Sequence, residues 1–310
     1  MDVQLRHLRA LVAVVDAGTF TDAAALIGCS QAAVSRSIAA LETSLGARML
    51  ERSTHHVALT SAGGRVLSHA RRVLDEIAHL RRIADETHSE LRLGYAYAAL
   101  GKHTRRLQKA WALAHPGMPL VFVHSNSPTA GLSEGIADVA VIRRPLSDDR
   151  FEVTSVGVET RYAAMDVDHA LARRRSVSLA QLARYTVAMD HRSGTTTPDL
   201  WPPGTRPATR FTDGVDEWLT LIASGQAVGV TAEATANQNP RPGVAYRAVT
   251  DAPPIDVRLA WWKDDPPPCL DALLEMTREL YASTPPIPPQ RSRPHPAQKG
   301  RAGQPKGLAR

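Results

Sequence analysis

The chain has 310 residues, 43% of them apolar and 22% charged, with a formal charge of +6. That length allows two or three domains with cores of their own, and the composition argues against a mainly disordered chain. Cys29 and Cys269 lie far apart without CxxC or histidine-rich surroundings, and no long apolar run or leader-like amino end is present. These features argue against a disulfide framework, a metal cluster and a membrane partner, and predict a cytoplasmic protein without a cofactor.

The location of the charge matters more than its sum. From Pro285 onward the chain carries six basic residues and no acid, which matches the whole surplus, so overall basicity says little about a nucleic-acid partner. Residues 1–74 hold eight arginines against five acids, a local surplus that is more informative.

Leu5, Leu8, Leu11, Val12 and Val15 recur at helical spacing, and Gly18-Thr19 ends this helix and offers a new N-cap. Phe20, Ala23, Ala24 and Ile27 line a second helix that Gly28 terminates. Ser30 then caps a third helix with Val34, Ile38 and Leu41 inward. Leu45, Met49, Leu50, Val57 and Leu59 suit a short wing, and Thr60 or Ser61 caps a long helix from about Ala62. Along it Val66, Ala70, Val73, Ile77, Leu80, Ala84, Thr87 and Leu91 form a heptad-like stripe. Charged neighbours keep this stripe narrow, which favours pairing with a second copy over packing on its own domain.

After Glu90 strands and helices alternate, predicting an α/β domain with a largely parallel sheet. The predicted strands are Leu91–Tyr97, Leu120–His124, Val139–Ile142, Ala163–Met165, Thr186–Met189, Val228–Val230 and Val257–Trp262. The predicted helices are Thr104–Ala114, Pro128–Glu134, Leu179–Ala183, Val215–Ala223 and Leu270–Tyr281. The Pro-rich stretch from Thr284 to Arg310 reads as a basic disordered tail.

Phe20 to Ile38 meets the needs of a helix-turn-helix: small residues where two helices meet, a glycine turn and an apolar pin at Val34. An ordinary helical hairpin shares that pattern, so the exposed chemistry has to decide. Ser30, Gln31, Ser35, Arg36 and Ser37 place short hydrogen-bonding groups and a guanidinium at the start of the third helix, where a recognition helix meets base edges. Gln31 and Arg36 suit bidentate contacts to purines, while Arg52 and Thr60 near the wing suit flanking phosphates.

The ordered series Thr19-Phe20-Thr21-Asp22-Ala23-Ala24, Ser30-Gln31-Ala32-Ala33-Val34-Ser35-Arg36, Leu41-Glu42, Leu45-Gly46, Glu51-Arg52 and Leu59-Thr60-Ser61-Ala62-Gly63 resembles the amino-terminal signature of the LysR-type transcriptional regulators. Ala32 stands where that family often has proline, and Leu50 where it often has phenylalanine. A proline at a first helical turn is preferred but replaceable. The resemblance implies that Gln31, Ser35 and Arg36 face the major groove while Arg52 and Thr60 contact backbone, with Ser30 and Ala32 also in the DNA-binding set.

His115-Pro116-Gly117, Gly135 to Val141 and Ala223 to Val230 extend the resemblance to about Tyr281, into a regulatory domain similar to periplasmic binding proteins. It implies a winged helix-turn-helix at 1–60, a linker and dimerisation helix at 61–89, a two-lobed α/β effector domain at 90–283 and a tail at 284–310. The lobes would be Leu91 to about Thr160 with the last helix, and about Arg161 to Ala260. Ligands of such domains meet the carboxyl ends of strands, which selects Tyr97, Ala98, Ser125, Asn126, Ser127, Arg192, Ser193, Gly194 and Thr195. Ser127 before Pro128 reads as an N-cap whose backbone donors favour an anion, and as simple capping otherwise. Thr231 joins the cleft by resemblance, although Ala232 replaces the proline usual beside it.

Implied partners are double-stranded promoter DNA, a small-molecule effector, further copies as homodimer or homotetramer, and RNA polymerase. No GxSxG, Walker, HExxH or strand-borne GxGxxG motif supports catalysis. An enzyme or a solute-binding module without DNA function is the competing class, and residues 1–60 oppose it.

Overall fold

The structure, a computed structural model, describes residues 2–51, 57–84 and 89–283, with backbone only at positions 82 and 83. Arg52, Thr87 and the tail 284–310 lie outside these residues.

Helix α1 (Leu5–Ala17) is followed by α2 (Phe20–Leu26), which opens with the Asp22 N–H donating to Thr19 Oγ1 at 3.1 Å. Helix α3 (Gln31–Leu45) opens the same way, with the Ala33 N–H donating to Ser30 Oγ at 3.2 Å. Between α2 and α3 the turn passes through Gly28 at φ +68°, a conformation that a side chain would strain. Leu8, Leu11, Val14, Ala23, Ala24, Val34, Ile38 and Leu41 close into one buried core.

The wing pairs β1 (Leu50–Glu51) with β2 (Ala58–Leu59) antiparallel, Leu50 opposite Leu59. The Glu42 carboxylate anchors it to α3 by accepting the N–H groups of Met49 at 2.7 Å and Leu50 at 3.3 Å. Thr60 Oγ1 donates to the Arg48 carbonyl at 2.6 Å and accepts from the Gly63 N–H at 2.9 Å, so one hydroxyl joins the wing to the start of α4 (Ser61–Ala84). Leu67 and Ala70 of α4 are buried in the helix-turn-helix core, with Val66 and Leu74 packed against it. Farther along, Asp75 pairs with Arg150 at 3.1 Å and the His79 ring stacks on Trp262 at 3.9 Å between centroids.

The rest of the chain contains, in order, β3 (Leu91–Tyr95), α5 (Thr104–Ala114), β4 (Leu120–His124), β5 (Val139–Ile142), β6 (Phe151–Glu159), β7 (Arg161–Asp166), β8 (Ser176–Val177), α6 (Leu179–Leu182), β9 (Val187–Asp190), β10 (Thr209–Thr212), α7 (Val215–Ala223), β11 (Val228–Ala232), α8 (Glu233–Gln238), β12 (Val244–Val249), β13 (Ile255–Trp262) and α9 (Leu270–Ala282). These strands form two sheets. The first has the order β4-β3-β5-β13-β6, and Leu93, Leu107, Trp111, Val139, Val257, Leu259 and Leu273 share its core. The second has the order β10-β9-β11-β7-β12-β8, with Met165, Leu182, Val187 and Val230 in one core and Trp218 of α7 packed over Gly229 in another. One compact unit holds residues up to 158 with 256–283, and the other holds 159–255, so the chain passes between units at 158/159 and at 255/256.

Both sheets are mixed rather than largely parallel. Strand β3 runs parallel to β4 and β5, but β13 is antiparallel to β5, and β7 is antiparallel to both β11 and β12. Three readings need correction. Leu91 opens β3 and is no helical seam position. The span Pro128–Glu134 is a series of turns, because Ala130 and Gly131 adopt φ values of +49° and +99° that end any helix. The Ala130 carbonyl also rests so close to Gly94 that a β-carbon there would approach it to 1.9 Å. Finally, Ala260 lies in β13, which belongs to the first sheet, so the second lobe ends earlier than the sequence reading placed it.

Two adjacent glycines of α4 give a test with opposite signs. A β-carbon on Gly63 would lie 2.0 Å from the Met49 carbonyl oxygen, whereas one on Gly64 meets nothing within 4 Å. Gly63→Ala is expected to destabilise by about 1–3 kcal/mol through overpacking. Gly64→Ala is expected to stabilise by about 0.5–1 kcal/mol by restricting the unfolded chain. Urea unfolding followed by circular dichroism measures both.

Candidate functional site

The face of α3 opposite the core is open. Ser30, Gln31, Ala32, Ser35 and Arg36 are exposed, while Val34, Ile38 and Leu41 on the other side are buried. Gln31, Ser35 and Arg36 make no side-chain hydrogen bond or ion pair to any described residue, which leaves an amide, a hydroxyl and a guanidinium available along one edge of the helix. Thr60 stands apart from this group. It is half-buried, and both its donor and acceptor functions serve the wing and α4.

The α4 stripe divides into two parts. Val66 and Ala70 face the protein's own helix-turn-helix core, whereas Val73 and Leu80 are 43% and 54% exposed, Ala84 is exposed and Ile77 is half-buried. An apolar edge of four heptad positions, from Val73 to Ala84, therefore lies open or half-open on the second half of the helix.

Of the candidate ligand segments, Tyr97, Ala98, Ser125, Asn126 and Ser127 fall in the first unit, and Arg192, Ser193, Gly194, Thr195 and Thr231 in the second. In the first, Arg143 donates through Nη1 and Nη2 to the carbonyls of Ala98 and Ala99, both at 2.7 Å, and so fixes the loop after β3. Ser125 Oγ donates to Ser127 Oγ at 3.3 Å, and the Gly131 N–H donates to Ser127 Oγ at 3.2 Å. Ser127 thus caps a turn, with Thr129 Oγ1 at 3.5 Å. Arg143 is not among the sequence-predicted ligand residues, and its place directly after the buried strand Val139–Ile142 is the signal that marks it.

In the second unit the buried Asp190 carboxylate organises the loop after β9. It accepts the N–H groups of Arg192 at 3.0 Å and Ser193 at 3.2 Å, and the Ser193 hydroxyl at 2.8 Å. Gly194 sits so close to Asp190 that a β-carbon would lie 2.5 Å from its carbonyl oxygen. The Arg192 guanidinium turns toward Asp213 at 3.8 Å, and His191 reaches the same carboxylate at 3.3 Å. Thr196 Oγ1 donates to the Val230 carbonyl at 2.7 Å beside the buried Thr231. Arg161, which the sequence reading used only as a lobe boundary, donates to the carbonyls of Thr195 and Pro253. Burial pushes its pKa down from the ordinary arginine value.

Among the described residues, no group of three or more His, Cys, Asp or Glu side chains could hold a metal ion, and no single helix is long and apolar enough to cross a membrane. A helix-turn-helix joined by one long helix to a two-sheet α/β part is the layout of a modular regulatory protein. Residues 5–64 match the family described as bacterial regulatory helix-turn-helix protein, lysR family, and residues 84–282 match the LysR substrate binding domain. The chain belongs to the LysR family.

Among its relatives, the HTH-type transcriptional regulator YnfL of Escherichia coli is 33% identical over 193 residues, covering 59% of this chain and 64% of that protein. The Hca operon transcriptional activator HcaR of Escherichia coli is 27% identical over 294 residues, covering 91% and 99%. The chain therefore spans just under two thirds of the first relative's length and nearly all of the second's. The crystal structure of full-length CbnR complexed with its target DNA shares the fold, with 22% identity, a TM-score of 0.51 and coverage of 89% and 99%.

Asp190 is the group on which the second-unit loop depends. Replacing it with alanine leaves two backbone donors and one hydroxyl without their acceptor and is expected to cost about 1–3 kcal/mol of stability in urea unfolding. Asp190→Asn, which keeps one acceptor oxygen, is expected to cost less.

Proposed function

We propose that this protein is a sequence-specific DNA-binding transcription regulator of LysR type, whose promoter binding is modulated by a small molecule held in its C-terminal domain. The observation that carries this reading is the open polar edge of α3, where Gln31, Ser35 and Arg36 have no competing partner among the described residues. A helix inserted in the major groove needs such groups at its amino-terminal end, and amide and guanidinium side chains pair bidentately with adenine and guanine edges. Arg52, near the wing in sequence, would contact phosphate, and Thr60 would position that wing rather than touch DNA itself.

Two chains pair through the second half of α4, using Val73, Ile77, Leu80 and Ala84. Pairing sets two copies of α3 on an interrupted palindrome. The working division is a DNA-binding unit at 1–60, a linker at 61–89 and an effector domain at 90–283, in a cytoplasmic protein. Tetramers through the effector domains and contact with RNA polymerase belong to the same reading.

Gln31→Ala and Arg36→Ala are each expected to weaken affinity for the operator by about 1–3 kcal/mol and to relax base preference at single positions. Fluorescence anisotropy on operators recovered by genomic footprinting measures this, and unchanged affinity in both variants removes the proposal. Leu80→Glu is expected to convert the dimer to monomer. Leu80 is 54% exposed, so its further burial contributes about 0.8–1.5 kcal/mol per chain, and the dissociation constant should rise about tenfold to a hundredfold in analytical ultracentrifugation.

A further inference from the structure

Arg161 opens β7, three residues beyond the first passage of the chain between its units, and its guanidinium is half-buried. Nε donates to the Pro253 carbonyl at 2.9 Å and Nη1 to the Thr195 carbonyl at 3.0 Å. A guanidinium carries five N–H donors, so three have no acceptor among the described residues. No carboxylate among those residues pairs with it. The neighbouring buried acids are directed elsewhere: Glu159 accepts the Ala234 N–H, and Glu233 accepts the Thr160 hydroxyl. Thr195, whose carbonyl accepts from that guanidinium, also carries a buried Oγ1 with no hydrogen-bond partner.

Arginine cannot shed its proton to escape burial, so a half-buried guanidinium held only by neutral carbonyls retains an uncompensated charge. An unsatisfied hydroxyl on the same residue that supplies one of those carbonyls adds a second polar deficit. An oxyanion is the kind of ligand that answers both deficits, since it accepts from a planar guanidinium fork and from a hydroxyl. We infer that Arg161 and Thr195 form an anion-binding site in the second unit, taking the carboxylate, or an equivalent oxyanion, of a small-molecule effector. This rests on the effector-binding reading of the C-terminal domain and specifies the ligand's chemical class.

The same guanidinium already joins the start of β7, the loop after β9 and the segment that leads into β13. Pro253 lies two residues before the second passage of the chain, so an anion on Arg161 reinforces or loosens contacts within the second unit. A ligand favouring one arrangement of those contacts shifts its population.

The test uses the full chain and a matched panel of acetate, benzoate, succinate and sulfate, with acetamide, benzamide and succinamide as neutral counterparts, at constant ionic strength. Calorimetry and thermal unfolding should show at least one anion binding in clear preference to its neutral match. Arg161→Gln should weaken that binding about tenfold to a hundredfold, and Thr195→Val by a smaller factor. Arg161→Lys should fall between wild type and Arg161→Gln. If Arg161→Gln does not fold, by circular dichroism, Thr195→Val and Arg161→Lys decide. Amides binding as well as acids, with both arginine variants unaffected, overturns the anion site but leaves the effector reading standing. Absence of binding by every compound, charged and neutral, overturns both.

Discussion

Val34, Ile38 and Leu41 recur on one side of α3, and their burial against Leu11, Val14 and Ala23 determines where the opposite side points. Full burial of each such side chain stabilises by about 1.5–3 kcal/mol. Rotating the helix by one residue would forfeit much of that burial and would also carry Arg36 toward the core, where a charge without a partner is costly. The direction of Gln31, Ser35 and Arg36 is therefore a consequence of packing. Glu42, from the carboxyl half of the same helix, fixes the wing through two backbone N–H groups, so the orientation of α3 is transmitted to β1 and, through Thr60, to α4.

Helix α4 carries that orientation onward because each half has its own partner. Its first half lies in the helix-turn-helix core through Leu67 and Ala70, and its second half meets the first sheet's unit through Asp75 and His79. Arg150 is the central group of the second contact. It bonds Asp75 and Asp148 and lies over the rings of Trp262 and Phe151, the former stacked on His79. The hydrogen bond from Arg150 holds the Asp148 carboxyl below its ordinary value, while burial raises that of Asp75 despite the same cation. The two acids thus compete unequally for one guanidinium, and the contact combines ring stacking with ion pairing that salt screens only weakly at this depth.

Much of this was legible in the sequence because local chemistry announces it. Thr19, Ser30 and Thr60 each precede a helix and each accepts the backbone N–H that a cap should satisfy. What escaped was whatever depends on contacts distant along the chain. A period that marks a buried stripe cannot say which surface buries it, so Val66 and Ala70 read like Val73 and Leu80 although the former face the protein's own core. Ser127-Pro128 carries a good helix-start signal, yet the close approach of the Ala130 carbonyl to Gly94 and the left-handed residues beside it produce turns instead. Strands β6 and β12 were missed because their polar residues, including Glu152, Thr154 and Arg247, dilute the apolar pattern of half-buried strands.

Polar residues at strand ends invite the reading that they wait for a ligand, and here much of their bonding capacity is spent on the protein itself. Arg143 holds two carbonyls of the loop after β3, Asp190 gathers three donors after β9, and Ser193 gives its hydroxyl to Asp190. Such internal bonding makes the loops rigid enough to present a site, since groups already tied down lose less freedom when a ligand arrives. Recognition then falls to the groups left over after the scaffold has satisfied itself. By that criterion a residue typed as polar in the sequence is a weaker candidate than one whose donors remain unanswered in the fold, so Arg192, already turned toward Asp213, is a weaker ligand group than Arg161.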